Sequence, residues 1–454
     1  MNKSVTVVGA GIAGLTAAYR LRLQGFSVKV IESSERVGGR MSTERVDGNV
    51  ADRGAQFLAS AYHTLIPLVR ELGLESELVA TKPYSAIVKN GKIKRLRHEK
   101  TSSRIGYVLK TSGGLFGAAK TAVNGLPLLK LANDRKDDYS LWERFDNEDS
   151  AEWFERSFGK ESLEYVLEPQ LEGFFFHGPE NNSKALAQLL LAFNTAKGKV
   201  MTMERGLGSI TEALARDLDI HLNEKVIKVA RNMDGTATVT TSKLKYDSDY
   251  VVMAAPAPIA QSLMKPVTAT ENSLLSTQYA STIVITLAAS KNWSKSNKSL
   301  NDVYGFLIPR KERNLVCAVG IETNKCSLHT EAPELLNIMT EGAQTPELLG
   351  LSDDEILARV LPDLETYFPG ISDCITYKMI VRWKNAQTLS PVGRAKDIHN
   401  YRQQLNKTLP IVLAGDYMGY GATDSASQTG EWAANSIMEA AITAAENDKI
   451  KHCG

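Results

Sequence analysis

The stretch Val5-Thr6-Val7-Val8-Gly9-Ala10-Gly11-Ile12-Ala13-Gly14-Leu15 decides the fold. Val5, Val7 and Val8 make a short β-branched apolar run, and Leu15 to Gln24 has helix-forming composition with helical apolar spacing. The predicted unit is therefore strand, tight turn, helix. In that unit Gly9 permits the turn, Gly11 lets backbone amides approach a pyrophosphate, and Gly14 lets the helix pack on the strand. Ile12 and Ala13 sit at the helix start, whose partial positive charge faces the phosphates. A second strand, Ser27 to Ile31, ends at Glu32, an acid placed to bind ribose hydroxyls. A carboxylate there would repel a 2′-phosphate, which favours an unphosphorylated ribose, as in FAD or NAD, over NADP.

The next segment, Ser33-Ser34-Glu35-Arg36-Val37-Gly38-Gly39-Arg40-Met41, resembles the E-x(3)-R-x-G-G-R hallmark of the flavin amine oxidase and protoporphyrinogen oxidase superfamily. The resemblance implies FAD, with Gly38 and Gly39 as a second backbone loop near the diphosphate, Arg40 as a fixed cation for it, and Ser33 and Met41 among the contacts. Asp52-Arg53-Gly54-Ala55-Gln56-Phe57 looks like the family segment beneath the isoalloxazine ring, and Asp47-Gly48 also reads as a hairpin turn. Met203 to Ile210, followed by a helix-like Thr211 to Arg216, resembles the return to the nucleotide domain. His221 to Val229 is expected as one alternating strand, in which the family position of Val226 holds adenine by its backbone. Pro410 to Asp416 is an apolar strand ending in Gly415-Asp416, and a helix is expected over Ser427 to Ala441. By resemblance Asp416 accepts from ribityl hydroxyls, and Gly415 and Ala426 belong to the last flavin-contacting segment. The implied fold class is α/β: a Rossmann-like FAD-binding domain, 1–86, 201–260 and 401–454, with an inserted α+β substrate domain, 87–200 and 261–400.

Composition adds bounds. A chain of 454 residues that is 43% hydrophobic and 23% charged, with net charge +1, suits a folded multidomain protein and offers no field for nucleic acid. Cys317, Cys326, Cys374 and Cys453 form no CxxC pair and lack histidines at zinc-like spacing, so no metal is expected and reduced thiols in a cytoplasmic protein are. The start runs directly into a strand, leaving no room for a cleaved signal, and no apolar run reaches the length of a membrane span. Ile105 to Leu131 reads either as an amphipathic surface for peripheral membrane contact or as helices over a substrate cavity.

The inserted segments should cover the flavin. Ile87 to Ile93 reads as a hairpin about Asn90-Gly91, followed by a basic run, Lys92, Lys94, Arg95, Arg97 and Lys100, that suits a solvated edge or an anion-attracting one. Asp149 to Phe154 resembles the protoporphyrinogen oxidase pattern of an acidic helix start, and Glu168 to Phe176 its Pro-x(3)-Gly turn. Gly305 to Arg310 adds to that likeness, as in part does Arg382-Trp383, but Thr388 and Ser390 stand where those relatives place proline and tyrosine. The amine oxidase branch commonly sets a lysine over the flavin, yet Tyr279 to Val284 holds none; Tyr417 and Tyr420 are candidates for one of its aromatic rings. His177 reads as a structural histidine more readily than a cavity one, and no catalytic side chain is assigned. Taken together, the resemblance implies an FAD-dependent oxidoreductase that dehydrogenates an electron-rich small molecule by hydride transfer, with dioxygen as acceptor. Tetrapyrroles rank ahead of polyenes or isoprenoids, and those ahead of amines. A specialised biosynthetic flavoenzyme and a redox-silent FAD-binding partner protein are the alternatives, and oligomeric state is not legible.

Overall fold

Ser4–Val8 forms a buried strand flanked on both sides by parallel partners, as its unbroken β-branched character requires. In the computed structural model, which describes residues 3–97, 100, 102–103, 106–107, 114–133, 138–195 and 198–453, this strand is the centre of a five-stranded sheet. The order is Asp219–His221, Ser27–Ile31, Ser4–Val8, Tyr250–Met253 and Ile411–Leu413, all parallel. Gly9 turns the chain with φ of 105°, and Gly11, extended at φ −75° and ψ 174°, caps the helix Ile12–Leu23. The helix thus begins three residues before the expected Leu15. It is covered by the long helix Thr423–Cys453, whose Gly430 permits the approach: a Cβ there would stand 2.2 Å from the Ala13 carbonyl oxygen.

The expected strand His221 to Val229 is in fact two. Asn223, at φ 53°, takes the chain out of the parallel sheet, and Val226–Arg231 then joins an antiparallel sheet with Ala237–Thr241 and Lys245–Ser248. The break falls in the polar run Asn223-Glu224-Lys225, which interrupts the alternation between the two strands.

A seven-stranded sheet faces the carboxyl end of the parallel one across a cavity. Its order is Ile375–Thr388, Tyr279–Ala289, Glu334–Thr340, Val316–Ile321, Val303–Leu307, Tyr84–Lys89 and Lys92–Arg97. Two hairpins have the paired positive φ values of type I′ turns, Asp47 and Gly48 at 51° and 71°, Asn90 and Gly91 at 54° and 65°. The basic strand Lys92–Arg97 lies at the sheet edge, where charge blocks further pairing. Arg95 stacks 4.1 Å from the Tyr84 ring centroid.

Asp149 caps the helix Ser150–Phe158, accepting from the Ala151 and Glu152 amides at 2.8 and 3.1 Å, an arrangement that stabilises by about 1 kcal/mol. Glu168 to Phe176 is not a turn. Glu168–Phe175 is helical and continues without a break from the π-helical turn Leu163–Leu167, so Pro169 lies within a longer helical run, and the chain leaves through Phe176 at φ 63°. Gly173 is needed for packing instead, since a Cβ would lie 2.4 Å from a Leu307 methyl.

Candidate functional site

Between the two larger sheets lies a cavity of about 1310 Å³, beyond the roughly 300–1,000 Å³ of a pocket for one drug-sized ligand. Gly9, Gly11, Ile12, Ala13, Glu32, Ser33, Gly38, Gly39, Arg40, Met41, Gly54, Ala55, Gln56, Val226, Gly415, Asp416 and Ala426 all line it. Gly14 does not. A Cβ on Gly14 would stand 2.0 Å from the Gly9 carbonyl oxygen, so its place is in the helix–strand contact. A Cβ on Gly11 would instead project toward the cavity and meet nothing within 4 Å. This open cradle at a helix N-terminus fits a dinucleotide pyrophosphate.

The adenosine end is prearranged by Glu32. One carboxylate oxygen accepts from the Ala10 amide at 2.8 Å and the other from the Ser34 amide at 2.8 Å. The Glu224 amide donates to the Glu32 carbonyl at 2.9 Å, which brings Val226 beside it from another segment. Gly38 donates to the Ala10 carbonyl at 2.8 Å and so joins the two glycine loops.

Arg40 is held in place by residues from distant segments. Its guanidinium binds the Asp416 carboxylate, donates to the Ala386 carbonyl at 3.0 Å, and lies 5.7 Å from the Tyr279 ring centroid. Asp416 also accepts from the Tyr279 hydroxyl at 2.9 Å and the Tyr417 amide at 3.1 Å. Burial works against the Arg40 charge, but Asp416 and Tyr279 overcome it and raise the guanidinium above its ordinary value. Arg40 and Asp416, 376 residues apart, form one neutralised unit at the cavity wall.

Gly54 packs against Arg40: its Cβ would be 2.3 Å from the Arg40 carbonyl oxygen, and the Ala55 amide donates to that same oxygen at 2.8 Å. Gln56 holds the segment by donating to the carbonyls of Gly54 and Asp52 at 2.9 and 3.2 Å. Behind it stands a cluster that sequence reasoning missed. Lys325, with its side chain 0% exposed, lies 2.9 Å from Asp52 and 2.8 Å from Glu322. His329 is 3.6 Å from Glu322 and bonds the Met203 carbonyl at 2.9 Å. Burial disfavours each charge, yet Asp52 and Glu322 hold Lys325 above its ordinary value, and Lys325 holds Asp52 below its own. The only trace in the sequence is Glu322 and Lys325 at i, i+3 in a short segment, which by itself reads as a surface pair.

The far part of the cavity is aromatic. Phe57 stacks edge-on against Phe174 and Tyr304, with centroids 5.4 and 6.4 Å apart, and Trp383 donates its indole N–H to the Arg53 carbonyl at 2.6 Å. Val284, Leu307 and Met339 complete this part of the wall. Tyr420 lines the cavity, whereas Tyr417 is buried beneath it with its hydroxyl on the Met253 carbonyl at 3.1 Å. His177 stays out of the lining. It is buried, bonded to the Thr388 carbonyl at 3.1 Å and to Asn182 at 2.7 Å, and burial pulls it down to about 4. It is therefore neutral and structural, as its sequence context favours.

Of the segment 105–131, residues 105 and 108–113 lie outside the described ones. The helix Gly114–Asn133 turns Thr121, Gly125 and Leu128 to the cavity and exposes Val123 and Leu126. Among the described residues no helix is long and apolar enough to cross a membrane.

Comparison with known proteins agrees with this geometry. The chain is 24% identical to coproporphyrinogen III oxidase of Bacillus subtilis (strain 168), over 94% of this chain and 96% of that protein. It is 24% identical to mitochondrial protoporphyrinogen oxidase of Nicotiana tabacum, over 99% and 97% of the two chains. A provisionally named protoporphyrinogen oxidase from Exiguobacterium sp. 255-15 shares the fold with a TM-score of 0.76 at 21% identity, covering 96% of this chain and 99% of that one. The family of flavin containing amine oxidoreductases matches residues 12–438. With nearly the whole chain matched and the glycine cradle, Glu32 and the Arg40–Asp416 unit all at one cavity, the protein belongs to the flavin containing amine oxidoreductase family and is an FAD-dependent oxidase.

Proposed function

We propose that the protein oxidises a bulky, electron-rich, porphyrinogen-like substrate, with dioxygen taking the electrons onward. The observation that carries this reading is the chemistry of the far chamber. Among the described residues, the cavity wall supplied by the seven-stranded sheet, by Glu168–Phe175 and by the helices around it contains no carboxylate. The lining carboxylates Glu32, Glu35, Glu224 and Asp416 all belong to the nucleotide side. An ammonium substrate would lose its hydration in the chamber without gaining a counter-charge there, whereas a broad apolar ring system gains contact with Phe57, Phe174, Tyr304 and Trp383. The names of the relatives from Bacillus and tobacco support the same substrate class.

Bound FAD supplies a hydride acceptor at flavin N5. The protein's part is to hold the reacting carbon close and exclude water, which suits a chamber without a charged general base. Gly11 and Glu32 receive the nucleotide, the segment Gly54-Ala55-Gln56 and Asp416 seat the ring and ribityl chain, and the aromatic residues orient the substrate. We assign 1–86, 201–260 and 401–454 to the cofactor half, and 87–200 and 261–400 to the substrate half, on the membership of their strands in the two larger sheets; Tyr84–Lys89 enters the seven-stranded sheet slightly before that boundary.

The test is anaerobic mixing of the holoenzyme with protoporphyrinogen, coproporphyrinogen, a carotenoid and putrescine, followed at the flavin absorbance band. Porphyrinogens should bleach the flavin. Bleaching by putrescine alone would replace this reading with amine oxidation, bleaching by the carotenoid alone with polyene oxidation, and bleaching by none would overturn the porphyrinogen reading.

A further inference from the structure

The Arg40–Asp416 unit is joined to the seven-stranded sheet at two points. One is a β-bulge: between the pairs Thr282–Trp383 and Ala280–Gln387, Ser281 alone stands opposite Lys384, Asn385 and Ala386, and the Ala386 carbonyl accepts from Arg40 at 3.0 Å. The other is Tyr279, the first residue of Tyr279–Ala289, whose hydroxyl donates to the Asp416 carboxylate at 2.9 Å. The same strand carries Thr282 and Val284 into the chamber wall. Tyr279 itself is not in that wall and stands behind Asp416.

The hydroxyl sits between two loops that flank the cofactor cavity. The Ala257 amide, which follows the cavity-lining Ala255 and Pro256, donates to it at 3.3 Å, and Asp416 accepts from it. These loops leave the carboxyl ends of the neighbouring parallel strands Tyr250–Met253 and Ile411–Leu413. Burial and the adjacent carboxylate keep the phenol protonated, so it serves Asp416 as a donor. A carboxylate has about four lone-pair sites. Arg40, Tyr279 and the Tyr417 amide occupy all but about one of those on Asp416, which fixes where the remaining one points.

We infer that Tyr279 is a positioning residue for the flavin: its hydroxyl, carried by the seven-stranded sheet, fixes the Asp416 carboxylate against the cofactor and, with Arg40, offsets its charge. The inference rests on the seating of the flavin beside Asp416 and is independent of the substrate's identity. Without the hydroxyl the carboxylate turns among several orientations and presents more negative charge to the ring system. FAD is then bound less well, and its reduction, which adds negative charge, is disfavoured.

Reconstitution with FAD tests this on wild type, Tyr279→Phe, Asp416→Asn and the double variant, reading the FAD Kd from quenching of flavin fluorescence and then the midpoint potential of the bound flavin. Phenylalanine keeps the ring beside Arg40 and removes only the hydroxyl. Tyr279→Phe should raise Kd about tenfold and lower the two-electron midpoint by about 30 mV, the equivalent of a tenfold change in the reduction equilibrium. On the Asp416→Asn background the same substitution should have little further effect on either quantity. An unchanged potential in Tyr279→Phe overturns the proposal whatever the Kd, since a packing defect would move Kd alone. Full effects that persist without the Asp416 carboxylate overturn it too, because the hydroxyl would then act elsewhere. An Asp416→Asn variant that binds FAD as wild type does would overturn the seating of the flavin, and the proposal with it.

Discussion

Lys325→Met places the largest load on a contact between the two halves of the protein. The ammonium sits between Asp52 and Glu322 at 2.9 and 2.8 Å, and the three side chains are exposed by 0%, 1% and 1%. Removing one partner of such a buried pair costs about 3–5 kcal/mol, because the remaining charges are left without compensation. Asp52 also accepts from the Thr43 hydroxyl at 2.7 Å and the Leu207 amide at 2.9 Å, so its disturbance reaches two cofactor segments. The variant should therefore lose FAD more readily as well as unfold earlier in urea. Its deficit carries a pH signature. Lys325 holds Asp52 below its ordinary range; without it, burial raises the carboxyl, and the penalty at pH 7 falls on the ionised form. Acidification toward pH 5 protonates the orphaned carboxyl and shrinks the gap from wild type, by about 1.4 kcal/mol for each unit of pKa displacement. A mere packing defect would give the same gap at both pH values. A loss below about 1 kcal/mol at pH 7, or a deficit independent of pH, would refute the assignment of an uncompensated charge. Adding Asp52→Asn and Glu322→Gln should restore part of the stability.

Gly11→Ala should leave the apoprotein's urea midpoint unchanged, since its Cβ meets nothing, yet weaken FAD binding about tenfold or more, read by flavin release. Gly14→Ala should do the reverse at the level of the fold and destabilise the apoprotein, because its Cβ would lie 2.0 Å from the Gly9 oxygen; matching behaviour of the two would contradict the separation of roles. Burial opposes the His329 charge, but Cys326 and Glu322 raise it to about 9. That stabilisation is complete below the unfolded histidine's pKa near 6.5 and fades as pH rises through about 9, by about 3–4 kcal/mol; His329→Asn should flatten the urea-midpoint profile in this window, and an unchanged slope would count against it. Phe57→Ala removes ring contacts with Phe174 and Tyr304, each worth about 0.5–1.5 kcal/mol. It should lower kcat/KM for a porphyrinogen about tenfold in an oxygen-uptake assay, and an unchanged value would remove Phe57 from the substrate wall.

The difference between the two halves of the site follows from how each binds. The cofactor is met largely by backbone, and backbone approach needs glycine at fixed local spacing, so Gly9, Gly11, Gly38 and Gly39 can be read within one short stretch. Glu32 is equally local, since the end of a strand fixes its direction. Local pattern fails where the determining contact is distant. Arg40 looks like a free cation until Asp416 closes on it, Glu322 and Lys325 look like a surface pair until Asp52 arrives, and Pro169 looks like a turn until Leu307 packs on Gly173. Within His221 to Val229 the polar run Asn223-Glu224-Lys225 does carry a local signal, since a left-handed Asn223 ends one sheet there and another begins after it. The substrate chamber is the extreme case: Phe57, Phe174, Tyr304 and Trp383 come from four separate segments, and no one of them has a partner within its own motif. Substitutions at Phe174, Tyr304 or Trp383 leave the glycine cradle, Glu32 and the Arg40–Asp416 unit intact. Substrate choice in this fold can thus change without any trace in the residues that identify the family, which is why the chamber's lack of carboxylates carries more weight for this protein's substrate than the glycines that identify its cofactor.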